Sequence, residues 1–323
     1  MKLTAPAYYE EFRCLAGACP DSCCHEWAVQ VDAQTAAAYR ALPGPLGDDL
    51  RRALVEEDGE TVLALRDGRC AMWREDGLCR IQAALGEQAL CPVCREFPRL
   101  RHDYGDFVEL GLELSCPEAA RLILADAGDV YSREVPGGEA PEYDAREMAV
   151  LKATRETALK LLHGEPGPAL AALLLFGYDA QSWLDGETET AAAPDGIPRP
   201  EGRGDHKALA AFYQQLEILT PRWRDLLRRA EAPRLTQPHL ALARYLVNRY
   251  WLQTIADGDL LCRVKWIVSS CLLVSMLPGA VQDVAQLYSK ELENDIDNVD
   301  AILDAAYTHP ALTDQNLLTL CLP

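Results

Sequence analysis

Nine of the twelve cysteines in this 323-residue chain fall between Cys14 and Cys116. They read C14-x4-C19-x3-C23-C24, then C70-x8-C79-x14-C94 with Cys91 making a C-x2-C step to Cys94, and lastly Cys116. A lone buried cysteine usually packs as a small hydrophobe. Nine at short spacing point instead to metal binding or thiol chemistry. Only Cys262, Cys271 and Cys321 lie beyond. Cys262 and Cys271 fall on opposite sides of their expected helix and read as core residues, while Cys321 is terminal and unassigned.

The compartment decides how the thiols read. A secretory signal needs an unbroken apolar run of about 7–15 residues, and Glu10, Glu11 and Arg13 interrupt the start. The longest apolar stretch, Leu260–Leu277, carries Arg263 and Lys265 and reads as a buried helix, not a membrane span. The expectation is a soluble cytoplasmic protein with reduced thiols, which more often hold metal than form disulfides. The net charge of −19 argues against nucleic acid and anionic membrane as partners, because little here would neutralise phosphates. Its simplest reading is solubility.

Four-thiolate sites suit both zinc and iron–sulfur clusters. Cys19, Cys91 and Cys116 are each followed by proline, a step that recurs in cluster-binding runs. The spacing also lacks the paired C-x2-C knuckles of a zinc ribbon. Iron–sulfur is therefore the leading expectation and zinc the alternative. In extended backbone, neighbours such as Cys23 and Cys24 point to opposite faces. The pair either serves two centres or leaves one member a spectator, and eight or nine thiols suffice for two four-thiolate sites.

The expected fold is mainly α, with a small metal-stapled α+β N-terminal module and a C-terminal helical bundle. Residues 1–120 form the cysteine-rich module, 121–183 a helical segment, 184–205 a linker or exposed loop rich in Gly and Pro, and 206–323 the bundle. Within the module, Val29–Val31 reads as a strand and Asp32 as the N-cap of a helix over Ala33–Leu42. Thr61–Leu65 and Cys70–Trp73 flank a hairpin turn at Asp67-Gly68. A helix is predicted over Gln82–Leu90 and a strand over Tyr104–Leu114, after which Ser115 caps a helix with Pro117 in its first turn. Further helices are expected over Arg146–Leu162, Ala169–Phe176, Lys207–Leu219, Pro221–Ala230, Pro238–Ala256, Leu260–Leu277, Ala280–Glu293 and Val299–Tyr307.

The segments FRCLAGACPDSCCHEW, GRCAMWREDGLCRIQAALGEQALCPVCREFPR and ELSCPEAARLIL closely resemble the flagellin lysine-N-methylase family. More loosely they resemble a wider group of cysteine-cluster proteins described as zinc or iron chelators. ARYLVNRYW, RVKWIV and LYSKELEN extend the resemblance towards the C-terminus, with much less specificity. It carries the family's cysteines onto Cys14, Cys19, Cys23, Cys24, Cys70, Cys79, Cys94 and Cys116. The family usually has Ser at the position of Cys91, which marks Cys91 as a spectator or alternative ligand, and often has His near Asn294. The resemblance implies methyl transfer from S-adenosylmethionine to lysine ε-amines of flagellin or another surface protein, with an iron–sulfur cluster, 4Fe-4S in type, involved.

The methyl donor has no familiar site here. No G-x-G-x-x-G turn follows an expected strand. The radical adenosylmethionine motif C-x3-C-x2-C fails because Cys19-x3-Cys23 is followed three residues on by Glu26. Arg95 and Arg99, with Arg101, form a basic run that could hold the donor's carboxylate or balance cluster charge. Methylation needs a neutral lysine although the free side chain titrates near ~10.4, so a carboxylate or Tyr in an apolar pocket is required; no catalytic residue is assigned. Trp27, Trp73, Phe97 and Tyr104 could wall such a pocket or pack the small core. His25 could ligate and His102 could act as a base. The other readings are a non-enzymatic zinc- or iron-binding structural or interaction protein, and a redox protein.

Overall fold

Apolar side chains gather into two separate cores, and this division places the cysteines. The computed structural model describes residues 1–57, 59–126 and 128–322. The smaller core joins Val29, Val31, Tyr39, Leu50, Leu63, Met72 and Ile81. The larger runs from Phe12, Phe107 and Leu112 through the helices to Leu320.

The strands are β1 (Lys2–Pro6), β2 (Val29–Gln30), β3 (Leu54–Glu57), β4 (Glu60–Leu63), β5 (Leu65–Arg66), β6 (Arg69–Cys70), β7 (Arg99–Asp103), β8 (Phe107–Leu112) and β9 (Val130–Glu134). A four-stranded sheet runs β7-β8-β1-β9, a three-stranded one β2-β4-β3, and β5-β6 is a ribbon. In the first sheet β1 lies parallel to β8 and antiparallel to β9. Its register aligns His102 with Glu109, Glu109 with Thr4, and Thr4 with Ser132. These four share one row across one face.

The helices are α1 (Ala33–Ala41), α2 (Gly44–Ala53), α3 (Arg80–Leu85), α4 (Pro92–Glu96), α5 (Pro117–Ala125), α6 (Ala145–Leu161), α7 (Pro166–Leu184), α8 (His206–Tyr213), α9 (Pro221–Arg228), α10 (Gln237–Tyr250), α11 (Leu260–Met276), α12 (Val281–Tyr288), α13 (Ile296–Thr308) and α14 (Asp314–Cys321). The chain is mainly α. Every residue of α11 is buried, so it forms the axis of the bundle, with α7 and α10 against it. A Cβ on Gly177 of α7 would come 2.9 Å from Val264 Cγ1, so the α7–α11 approach requires glycine there. Among the described residues no helix is long and apolar enough to cross a membrane.

Several expectations shift in position. The helix expected over Gln82–Leu90 stops at Leu85, where Gly86 takes φ +85°, and only a short 3₁₀ turn follows. The strand expected over Tyr104–Leu114 is β8 alone, because Gly105 turns the chain with φ +87°. The hairpin at Asp67-Gly68 forms, with both residues at positive φ, but its arms are the two-residue β5 and β6, while Glu60–Leu63 pairs with β2 and β3. Cys116, not Ser115, is the N-cap of α5, and Ser115 donates to Glu113 Oε1 instead. Asp32 caps α1 by accepting from Thr35 N–H at 3.0 Å. Ala169–Phe176 is the middle of the longer α7. The segment expected as one helix over Ala280–Glu293 is α12 followed by a π-helical turn over Ser289–Glu293. Cys262, Cys271 and Cys321 are all buried.

His239 gives the bundle a pH dependence. Its ring is 1% exposed, and Nδ1 accepts the Thr236 backbone N–H at 2.9 Å, so the imidazole is neutral. Burial lowers its pKa from 6.5 to about 4. The unfolded chain takes up a proton below pH 6.5 that the folded chain refuses until about pH 4. Stability is therefore unaffected by this group above pH 6.5 and falls, by roughly 3 kcal/mol in all, as pH drops towards 4. His239→Gln is expected to flatten that part of the stability–pH curve in urea titrations. An unchanged slope between pH 6.5 and 4 would show that His239 is not the group responsible.

Candidate metal centre

Three of the nine clustered cysteines stand at helix starts. Cys79, Cys91 and Cys116 are the N-cap residues of α3, α4 and α5. Helix N-termini favour negative charge, and backbone N–H groups of Ile81 and Gln82 draw the Cys79 thiol down against the burial that raises it. The Cys-Pro step now has a local cause at two positions: Pro92 and Pro117 occupy the first helical position, where proline loses nothing.

The thiols divide into two sets. Cys24, Cys70, Cys79, Cys91 and Cys94 all belong to the smaller core. Burial first, then the charges of Cys24, Cys79 and Cys91, push Cys70 up to about 12. Cys14, Cys19, Cys23 and Cys116 form the other set. Cys116 rises to about 11, mainly by burial and further by Cys19 and Cys14. Cys23 is raised first by its hydrogen bond to Cys24, then by burial and by Cys14 and Cys116. The vicinal pair sits in a turn at the junction: Cys23 feels Cys14 and Cys116, Cys24 feels Cys91, and both raise Cys94. Two thiols are held low, at about 7: Cys24 by the hydrogen bond from Cys23, and Cys91 by the one from Cys94. Cys91, expected as a spectator or an alternative ligand, lies buried in the smaller core with Cys94. The donor chemistry suits soft-metal thiolate binding, yet no group of three or more His, Cys, Asp or Glu among the described residues is closed up around a metal position.

The cysteine loop is tied to the bundle by buried charge. Lys290, in the π-helical turn and 3% exposed, meets Asp21 at 3.2 Å and Glu26 at 2.9 Å. Its Nζ also lies 5.6 Å from the centre of the Trp27 ring. Gln286 donates to Asp21 Oδ2 and to the Ser115 carbonyl. Three residues on, Glu293 accepts from Tyr250 Oη at 2.7 Å and lies 3.7 Å from Arg249 Nε. Glu113 completes this network: burial raises its pKa, while Arg249 draws it down and Glu293 raises it again. Asn294, standing near where the family often has His, hydrogen-bonds the same carboxylate.

The other expected residues scatter. Arg95 pairs with Glu96 at 3.4 Å, Arg99 lies over the Phe12 ring, and Arg101 pairs with Asp103. Trp27 donates to the Cys23 carbonyl at 2.9 Å and meets Phe97 edge-on. Trp73 sits beside His25 and Arg69, whereas Tyr104 stacks on Phe107 in the large core. Burial lowers the pKa of both His25 and His102. Sequence reasoning missed Asp21, Glu26, Lys290, Glu293, Arg249 and Glu113. The available signal was LYSKELEN, which places three charges inside an expected buried helix.

One comparison decides kinship. The flagellar biosynthetic protein FliU of Salmonella muenchen is 35% identical over 135 residues, which is 38% of this chain and 78% of that protein. The chain belongs to the flagellin lysine-N-methylase family. The lysine-N-methylases of Salmonella typhimurium and Salmonella choleraesuis match with the same identity over 135 residues, but the match spans only a third (33%) of their length. No family model matches the chain. No solved structure matches it either.

Proposed function

We propose that this protein is a protein lysine N-methyltransferase that moves a methyl group from S-adenosylmethionine to lysine ε-amines of flagellin or another surface protein. The observation that carries this reading is the family membership, through relatives whose names state lysine methylation. An iron–sulfur cluster of the 4Fe-4S type would be held by Cys14, Cys19, Cys23 and Cys116. The set of Cys24, Cys70, Cys79, Cys91 and Cys94 would hold a second thiolate-bound metal, zinc or iron. Support comes from the two electrostatically coupled thiol sets and from the thiols held near neutrality. When bound, the cluster supplies a fixed charge and a structural clamp between the cysteine loop and α5.

The chain's own residues would handle the proton. An attacking lysine must be neutral, and a carboxylate lifted by burial is a fitting acceptor. Glu113 is lifted in that way, one turn before Cys116 and within reach of Ser115 and Asn294. Arg95 and Arg99 are the proposed holders of the donor's carboxylate.

The test is protein purified without air, assayed for iron, sulfide and zinc, then incubated with S-adenosylmethionine and unmethylated flagellin. The expected result is visible absorbance, bound iron, and a methyl-mass gain on flagellin lysines in peptide mass spectra. Colourless protein holding only zinc, with no methyl gain, would support the structural metal-binding reading instead.

A further inference from the structure

A cavity of about 570 Å³ lies between the four-stranded sheet and helices α6 and α10, with no cysteine in its lining. Its size is that of a small-molecule site. The sheet contributes the polar row His102, Glu109, Thr4 and Ser132, an odd face to turn inwards. In the same floor Gly111 carries no side chain, and a Cβ there would touch only Leu100, at 3.9 Å. The space above that strand is open because the sequence leaves it open.

Its charge runs against the chain's. In a protein of net charge −19, five cationic side chains line this cavity: Lys2, Lys152, Arg155, Arg244 and Arg249. The carboxylates there are mostly committed. Glu109 grips Arg155 through two hydrogen bonds of 2.6 and 2.7 Å, Glu156 pairs with Lys160, and burial lowers the pKa of Arg244 while Asp126 partly offsets it. Lys2 and Lys152 have no ion-pair partner among the described residues. Three buried nitrogens in the lining, His102 Nε2, Arg244 Nε and Arg249 Nε, have no hydrogen-bond partner among the described residues. A buried donor left bare is destabilising, so the lining is short of acceptors. Apolar walls from Leu112, Ile123 and Leu159 complete the space.

We propose that this cavity binds a small molecule carrying a carboxylate or phosphate group on an apolar body. Lys152, whose Nζ sits 3.5 Å from the centre of the Phe107 ring, would meet the acidic group, and the open floor at Gly111 would take the body. Two sources share this chemistry: the carboxylate end of the methyl donor's product and a free nucleoside monophosphate.

The experiment titrates S-adenosylhomocysteine and adenosine monophosphate separately into the full chain by calorimetry. It is repeated with Gly111→Phe, which fills the floor, and Lys152→Met, which removes the cation. At least one probe is expected to bind with a Kd below about 1 mM. Gly111→Phe should weaken it by about tenfold or more, and Lys152→Met by about tenfold with a shallower salt dependence. Circular dichroism checks that both variants are folded, and Lys152→Met decides alone if Gly111→Phe is not. Binding of S-adenosylhomocysteine alone, lost in the variants, places the donor here, an outcome that rests on the methyltransferase reading and takes the donor's carboxylate away from Arg95 and Arg99. Binding of the monophosphate alone supports a ligand unrelated to methyl transfer. No binding of either probe overturns the proposal. S-adenosylhomocysteine binding that both variants leave unchanged also overturns it, while leaving the methyltransferase reading standing.

Discussion

Cys116→Ser is expected to remove one metal group and spare the other, and Cys70→Ser to do the reverse. Cys116 stands at the start of α5 with Cys14 and Cys19 as its thiol neighbours, whereas Cys70 lies in the smaller core with Cys24, Cys79 and Cys91. The junction is a single peptide step, Cys23-Cys24, so the sets are close in sequence but distinct in space. If each holds its own metal, protein made without air should lose its cluster iron and sulfide in Cys116→Ser and only the second metal in Cys70→Ser. The visible spectrum should collapse in Cys116→Ser and persist in Cys70→Ser. If the proposed methylation of flagellin depends on the cluster, it should fall by about 100-fold or more in Cys116→Ser, since losing a direct ligand costs more than the about 10–100-fold of an outer-shell partner. Equal and complete metal loss in both variants would mean one shared centre. Cys91→Ala sharpens the distinction: a ligand of the second set should lower metal content alongside Cys70→Ser, a spectator should not.

The short-range elements around the cysteines were legible in the sequence because they are local. Asp32 and Asp67-Gly68 act within a few residues, whereas the alternation expected of Cys23-Cys24 gives way to a turn in which the two side chains hydrogen-bond each other. The small core's strands and helices follow the same short-range signals. What could not be read was long-range. β1 pairs with β8 and β9 across more than a hundred residues, and nothing in KLTAP declares those partners. The five thiols of the second set come from four separate segments, so only the packing of α1, α2 and β4 shows that they share a core. Cys91 illustrates the limit: the resemblance marks it as a spectator or an alternative ligand, and only the fold shows that it starts α4 and hydrogen-bonds Cys94 within the smaller core. The Cys-Pro steps teach the opposite lesson, since helix geometry alone accounts for two of them. The cavity was illegible for another reason: its cations are ordinary surface residues in sequence and become a cluster only when α6 and α10 close over the sheet.

The largest stability effect should come from the far side of the loop's anchor. Glu293 is wholly buried, accepts from Tyr250, and faces Arg249, itself only 11% exposed. Glu293→Ala would leave that guanidinium buried without its carboxylate, and breaking a buried pair in this one-sided way costs about 3–5 kcal/mol. For a chain of this size the midpoint of thermal unfolding should fall by roughly 10 °C. The double variant Glu293→Leu with Arg249→Met should recover most of the loss, because it removes both charges and refills the volume. The same turn holds Lys290 against Asp21 and Glu26, so the single variant should also loosen the cysteine loop and speed proteolysis between Cys14 and Cys24. Calorimetry and limited proteolysis read the two effects separately. A Glu293→Ala protein within about 1 kcal/mol of the native stability would mean that Glu113, already close to Arg249, takes over as its counter-charge. In that case the buried network holds its register through Glu113, and the coupling between the π-helical turn and the cysteine loop runs through Lys290 alone.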